Sequence, residues 1–219
     1  MEFGVISDIH GNVVALEAVL EDMPPVDALV CAGDVVGYNP WHAECVDELR
    51  SRAVPTVMGN HDRAVVHGNS FSFKSMAGAG VQHARETLGV DHLDWLRELP
   101  DEHRLFDERV KVVHGHPRHP DRYTYPGMFG SHLLGDEDVL IMGHTHQQHH
   151  EIYDEGVVLN PGSVGQPRDC DVRAAYAVVD LDDLSVAEHR VEYDIDRVRD
   201  AIREAGLPVR IGDRLYEGR

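Results

Sequence analysis

Five short apolar runs in this chain each stop at a small cluster of Gly, Asp, Asn and His, and this recurrence constrains the fold more than any other feature. EFGVI runs into Ser7-Asp8-Ile9-His10-Gly11-Asn12, and DALVCA into Gly33-Asp34. VPTVM runs into Gly59-Asn60-His61-Asp62, RVKVV into His114-Gly115-His116-Pro117, and DVLIM into Gly143-His144-Thr145-His146. Runs of this length read as buried strands, and the first two are separated by VVALEAVLEDM, whose apolar residues recur at helical spacing. WHAECVDELRSR reads as a second helix before the third strand. Such alternation implies right-handed βαβ units and a largely parallel sheet. In sheets of that kind the loops at the strand ends converge in a crevice where ligands gather.

The stretch from about Ser75 to Leu99, opened by FKSMAGAG and closed by Pro100, reads as helical. The second half changes character. HEIYDEGVVLNPG reads as a hairpin turning at Asp154-Glu155-Gly156, and RAAYAVVDLDDLSVAEHRVEYD as two more antiparallel strands turning near Asp182-Asp183. IDRVRDAIREAG is a late helix that ends at Gly206. With no repeat or linker visible, the expectation is one domain, 1–219, of mixed α/β (α+β) class, with two mixed sheets face to face and helices outside.

The strand-end clusters supply seven candidate metal ligands: Asp8, His10, Asp34, Asn60, His114, His144 and His146. Asp8 and His10 are two apart, so on an extended chain they face the same way, and His144 and His146 share that spacing. One ion cannot use seven such groups, whereas two can if a carboxylate bridges them; Asp34 is the candidate bridge. Mixed nitrogen and oxygen ligation without thiolate suits manganese, iron, nickel, cobalt or zinc better than magnesium or calcium, and manganese is the first choice. Asp-x-His or Gly-Asp alone carries little information; all five clusters in this order, each closing an apolar run, carry a great deal.

The series Asp8-x-His10, Gly33-Asp34, Gly59-Asn60-His61-Asp62, His114 and Gly143-His144-Thr145-His146 resembles the calcineurin-like metallophosphoesterase superfamily. GDVVGYNPWHAECVDELR, VMGNHDRAV and LNPGSVGQPRD resemble a compact prokaryotic branch described as phosphodiesterase-like or diadenosine-tetraphosphatase-like, and the likeness runs from Phe3 to about Tyr193. It implies a four-layer αββα sandwich. It also implies that Asp8, His10, Asp34 and His146 hold one metal, and that Asp34, Asn60, His114 and His144 hold the other. His61 would be the catalytic histidine and Asp62 the residue that orients it.

The activity this implies is hydrolysis of a phosphate ester by water activated between two divalent ions. His61 directly follows a ligand, so it is placed to donate a proton to the leaving group or to stabilise phosphoryl oxygens. His116, two residues beyond His114, and Arg168 in GQPRD are the candidate substrate contacts, the guanidinium fork being suited to phosphate. Tyr123 and Tyr125 offer stacking surfaces, and Asn160, Gly162 and Ser163 offer turn chemistry beneath the site.

Charge narrows the partners. The chain has 39 acidic against 20 basic residues and only two lysines, Lys74 and Lys111, for a net charge of -19. Such a surface repels polyanions, which counts against long nucleic acid, and it also suits a cytoplasm of very high salt. Three cysteines without framework spacing read as free thiols, Cys31 as a core residue. With no apolar window near 18 residues and no basic leader at MEFGVISDIHGN, neither a membrane span nor a secretory signal is expected, and the cytoplasm is the expected location. A small phosphate ester is therefore the expected partner, with monoester, diester and dinucleoside polyphosphate all open. The rival readings are a catalytically idle scaffold of the same fold, which would show damaged ligands, and a nuclease on nucleic-acid ends, which would want a basic groove.

Overall fold

The computed structural model describes residues 1–68 and 75–219. Phe73 and Lys74, placed by the sequence pattern at the start of the middle helical stretch, lie outside the described residues. Two mixed sheets form the framework. In the first, β1 (Glu2–Ile6) runs parallel to β2 (Ala28–Cys31) and antiparallel to β8 (Ala174–Asp180), which pairs antiparallel with β9 (Ser185–Val191). The second has the order β3-β4-β5-β7-β6. There β4 (Val110–Val113), β5 (Val139–Ile141) and β7 (Gly156–Asn160) are mutually parallel. The edges β3 (Glu102–Leu105) and β6 (His149–Tyr153) are antiparallel to their neighbours.

Strand alternation sends successive side chains to opposite faces. Phe3, Val5, Val30, Ala177 and Val179 of the first sheet therefore meet Val110, Val112, Val139, Ile141, Val157 and Leu159 of the second in an apolar layer between the sheets. Ile6, Cys31 and Tyr176 point the other way. They pack under α1 (Val13–Asp22), α2 (His42–Ser51), α4 (Met76–Thr87) and α5 (Val90–Glu98) through Leu16, Val19, Cys45, Leu49, Val81 and Leu96. The outer layers of this sandwich are unequal. Over the second sheet, Leu140, Met142 and Val158 are covered by Phe129, Leu133 and Leu134, from two 3-10 turns at Pro126–Met128 and Ser131–Leu133 and the residues that follow them. At the C-terminal end, α6 (Ile195–Glu204), α7 (Arg210–Asp213) and a 3-10 turn at Arg214–Glu217 set Val198, Ile202, Ile211 and Leu215 against Val14 and Tyr38.

Both hairpins and the late helix lie where the sequence pattern puts them. The third expected strand does not form as a ladder. VPTVM lies beside β2 but makes a single parallel bridge, Cys31 to Thr56, because Pro55 has no N–H to donate. Instead Pro55 O accepts from Cys31 N–H at 2.9 Å, and Met58 N–H turns to Pro100 O at 2.7 Å. Edge strand β3, the short α7 and α3 (Asn60–His67) have no counterpart in the sequence pattern; α3 starts inside the Gly59-Asn60-His61-Asp62 cluster and ends at left-handed Gly68. Cys31 and Cys45 are buried and Cys170 is exposed, all three as thiols. Among the described residues no helix is long and apolar enough to cross a membrane.

Candidate metal centre

The site sits where the parallel strands of both sheets end. Asp8 and His10 follow β1, Asp34 follows β2, His114 follows β4, and His144 and His146 follow β5. Asn60 opens α3. The chain is not extended at these positions. Asp8, His10, Asp34, His144 and His146 all have left-handed backbones, with φ of 53°, 51°, 54°, 68° and 58°. The same-face argument from extended spacing therefore gives the right neighbours for the wrong reason. Each turn is instead held by tertiary bonds: Asp8, His10 and Gly11 donate their N–H groups to Gly33, Asp34 and Val35 carbonyls at 2.9 Å. Ser163 Oγ donates to Asp8 O at 2.7 Å, and Asn160 Nδ2 donates to Gly143 O at 2.7 Å. The Asn-Pro-Gly-Ser turn thus ties the loop after β5 to the loop after β1.

The histidine tautomers follow from their partners. His10 Nδ1 lies 3.1 Å from Val36 O, His114 Nδ1 2.8 Å from Ala32 O, and His146 Nδ1 2.6 Å from Gln166 O. A carbonyl only accepts, so each Nδ1 carries the proton, and in the neutral ring Nε2 is left as a lone pair. Those three Nε2 atoms point at other acceptors. His10 Nε2 is 3.2 Å from His146 Nε2 and 3.6 Å from Asp34 Oδ2. His146 Nε2 is 3.2 Å from Asp8 Oδ1, and His114 Nε2 is 3.1 Å from Asn60 Oδ1 and 3.4 Å from Asp34 Oδ2. Burial holds His10 well below the ordinary histidine range and lowers His146 as well, so neither is charged to relieve this crowding. At His114 burial acts in the same sense but Asp34 outweighs it and raises the ring to about 10, so a proton there does part of a cation's work. Asp8 Oδ1 and His144 Nε2 are buried without any hydrogen-bond partner. Lone pairs facing lone pairs in a buried pocket are the signature of a cation site, and a mixed set of imidazole, carboxylate and amide fits transition metals.

All seven candidate ligands are thus neighbours, with Asp34 between two groups. Asp8, His10 and His146 form one triad, Asp8, Asp34 and His114 a second, and His10, Asp34 and His61 a third. The His144 ring packs edge-on against His114 with centroids 4.9 Å apart, while its N–H donates to Asp8 Oδ2 at 3.0 Å.

Above these groups lies a cavity of about 160 Å³, floored by Asp34, Asn60, His61, His144 and His146. Tyr38, Tyr123 and Arg168 form its walls. His61 donates its backbone N–H to Asp34 Oδ1 at 2.8 Å, and burial pushes its imidazole down to about 4. The bonds described for Asp62 run to the neighbouring loop. Its carboxylate accepts from the backbone N–H groups of Asp34 (2.8 Å), Gly59 (3.0 Å) and Val36 (3.1 Å), so it fixes the Asp34 loop. His116 is not among the cavity-lining residues; its Nδ1 accepts from Arg118 N–H at 3.0 Å and its ring packs beside His119, so it holds its own loop. Arg168 does line the cavity. The sequence reading passed over Tyr38, whose ring packs 4.8 Å from both His10 and His61; its only signal was the Gly-Tyr-Asn-Pro turn after Gly33-Asp34.

Over residues 1–184 the sequence matches the calcineurin-like phosphoesterase superfamily domain. It is 34% identical to an uncharacterized protein of Methanocaldococcus jannaschii, over 98% of this chain and 97% of that one. It is 31% identical to the phosphodiesterase YfcE of Escherichia coli, over 85% of this chain and 91% of the other. The crystal structure of a metallophosphoesterase from Sphaerobacter thermophilus superposes with a TM-score of 0.87 at 37% identity, covering 100% of this chain and 99% of that one. The chain belongs to the calcineurin-like phosphoesterase superfamily and is a metal-dependent hydrolase of phosphate esters.

Proposed function

We propose that this phosphoesterase works with two divalent transition-metal ions and acts on small phosphate esters. The observation that carries this reading is the convergence of buried imidazole, carboxylate and amide groups, among which a proton on His114 is the one positive charge. Asp8, His10, Asp34 and His146 would hold one ion and Asp34, Asn60, His114 and His144 the other, Asp34 being shared. Its Oδ2 lies 3.6 Å from His10 Nε2 and 3.4 Å from His114 Nε2, so one carboxylate faces both sets. Manganese is the first choice, ahead of iron, nickel, cobalt and zinc, for the nitrogen and oxygen donors offered. Bound there, the ions supply an acidified water as nucleophile and offset charge on the phosphoryl oxygens.

The chain's own residues do the rest. His61 is neutral at working pH, so its part is to donate an N–H hydrogen bond to a phosphoryl or leaving oxygen at the cavity wall. Arg168 turns its Nη2 to Tyr38 Oη (3.1 Å) and Gln166 Oε1 (2.7 Å) rather than to a carboxylate, which leaves its charge for phosphate. A cavity of about 160 Å³ has room for a phosphoryl group and a few waters at about 30 Å³ each. The alcohol portion therefore lies at the mouth, in keeping with a small ester. The complete ligand set speaks against an idle scaffold, and the net charge of -19 against a nuclease. We read 1–219 as one domain because the C-terminal helices close over Tyr38 and α1. A cytoplasmic setting fits the free thiols, and concentrated salt fits the acidic, lysine-poor surface.

The test combines metal analysis with turnover. Reconstituted protein should hold about two ions per chain and hydrolyse aryl phosphate mono- or diesters with manganese. His61→Ala should lose roughly 10²–10⁴-fold in turnover while keeping both ions. Absence of bound metal together with absence of turnover across manganese, nickel, cobalt and zinc, in low and molar salt, would overturn the reading.

A further inference from the structure

Three arginines near the cavity differ from most others in the chain. Arg63, Arg109, Arg173, Arg190 and Arg199 each meet a carboxylate. Among the described residues six arginines meet none, Arg85, Arg118, Arg122, Arg168, Arg210 and Arg214, in a chain where acids outnumber basic residues 39 to 20, and the last three of these lie together. The acids next to them in sequence are turned elsewhere. Asp169 pairs with Arg190, Asp213 with Arg199 at 3.0 Å, and Glu217 with Arg219 at 3.6 Å. Arg168 lines the cavity, and Arg214 and Arg210 lie behind it on the far side of Tyr38 without lining it. Arg168 Nη2 donates to Tyr38 Oη at 3.1 Å and its guanidinium lies 5.6 Å from the centre of that ring. Arg214 faces the same hydroxyl, and burial followed by the charge of Arg168 lowers it from the ordinary arginine range. Arg210 lies one helical turn earlier, the N–H of Arg214 donating to its carbonyl, so both side chains share a face.

Like charges gathered beside one tyrosine repel one another, and among the described residues none of the three is held in an ion pair; the nearest carboxylate lining the cavity is Asp34, which faces the histidines. Cations in the neighbouring centre would add to that repulsion. The arrangement makes sense if an anion from outside supplies the missing charge. One phosphoryl group fills the cavity and engages Arg168, which leaves Arg210 and Arg214 for another. We propose that Arg210 and Arg214 form a second anion subsite beside the cavity that takes a further phosphate of the substrate, so that preferred substrates are small molecules carrying two or more phosphates. This rests on the phosphoesterase reading of the neighbouring cavity. Both residues come from the C-terminal segment, beyond the 1–184 match to the superfamily domain, so the subsite is an addition to the shared hydrolytic core.

The test is calorimetric titration of the metal-free full chain at low salt with inorganic tripolyphosphate and with adenosine 5′-triphosphate. Arg214→Gln and the more exposed Arg210→Gln are each expected to weaken tripolyphosphate binding about tenfold, as loss of a charge-assisted contact does. Arg203→Gln, an exposed change of the same charge on α6, should leave it within twofold. Equal affinity for the two probes assigns recognition to the phosphates alone; tighter binding of the nucleotide adds a contribution from its base, with the same dependence on Arg214. Unchanged binding in both subsite variants, at unchanged melting temperature, overturns the proposal, as does an equal loss in Arg203→Gln. Tripolyphosphate binding that depends on Arg214, in a protein that hydrolyses no ester, would sink the phosphoesterase reading and leave the subsite. Ester hydrolysis with binding indifferent to Arg214 would do the reverse.

Discussion

The layer between the sheets and the rim at the strand ends are both buried, yet they are built on opposite terms. Between the sheets, Phe3, Val30, Val112, Ile141, Leu159 and Val179 are fully buried apolar side chains on regular strands. Burial of each such side chain stabilises the fold by about 1.5–3 kcal/mol. At the rim, Asp8, His10, Asp34, His144 and His146 are equally hidden from water but sit on left-handed backbones with acceptors facing acceptors. Asp and His tolerate that backbone better than most residues, so a cost of roughly 1 kcal/mol each is reasonable. Five of them then approach the low end of a domain's net stability of about 5–15 kcal/mol. The sandwich supports its rim, and the rim is where the chemistry lies.

Asp8→Asn should separate the two regions most sharply. The amide keeps an oxygen for Ser7 Oγ and His144 N–H, and turns an N–H toward His146 Nε2, where Asp8 Oδ1 now lies 3.2 Å away. Ester hydrolysis should fall about a thousandfold, or ~4 kcal/mol. The metal-free protein should instead gain about 1 kcal/mol and melt some 2–4 °C higher. Retained activity, or a lower melting point without metal, would break the contrast.

Ile141→Ala is the converse. A cavity in the layer between the sheets should cost about 2–5 kcal/mol in denaturant unfolding, with turnover per folded molecule nearly unchanged. A large loss of turnover in the folded fraction would show that the core tunes the site directly.

The smallest effect is the response to metal itself. At a hundredfold excess over its dissociation constant, a bound ion should stabilise the chain by ~2.7 kcal/mol, which is a rise of roughly 5–11 °C in calorimetry. His61→Ala should show the same rise, because the substitution keeps the backbone N–H that bonds Asp34 Oδ1.

The contrast also explains what the sequence could say. The convergence of the seven candidate ligands was legible because each follows an apolar run, and strand ends converge whatever the details. Residue type at Asp34, Asn60 and His114 was enough. The backbone at Asp8 and His10 was not legible, because bonds to Gly33, Asp34 and Val35 impose it and those lie more than 20 residues away. The third strand misled because a hydrophobic pattern takes no account of the N–H that Pro55 lacks. The amide bonds of Asp62 were not legible, because a carboxylate beside a histidine suggests a pair rather than bonds across the loop. His116 shares the spacing of a ligand pair but follows a loop that folds back on itself at His119. That Arg168 lies at the cavity was readable from GQPRD; its lack of an ion pair was not, since pairing depends on where Asp169 turns.

Asp8, His10 and Asp34 hang from one sheet, and His114, His144 and His146 from the other. Any ion gripped by both sets is consequently a rivet through the two halves of the sandwich, at an edge where the apolar filling gives way to polar loops. Its departure would let the halves gape there first, and amide exchange at Gly33, Gly143 and Gly165 would quicken before the strands themselves loosened.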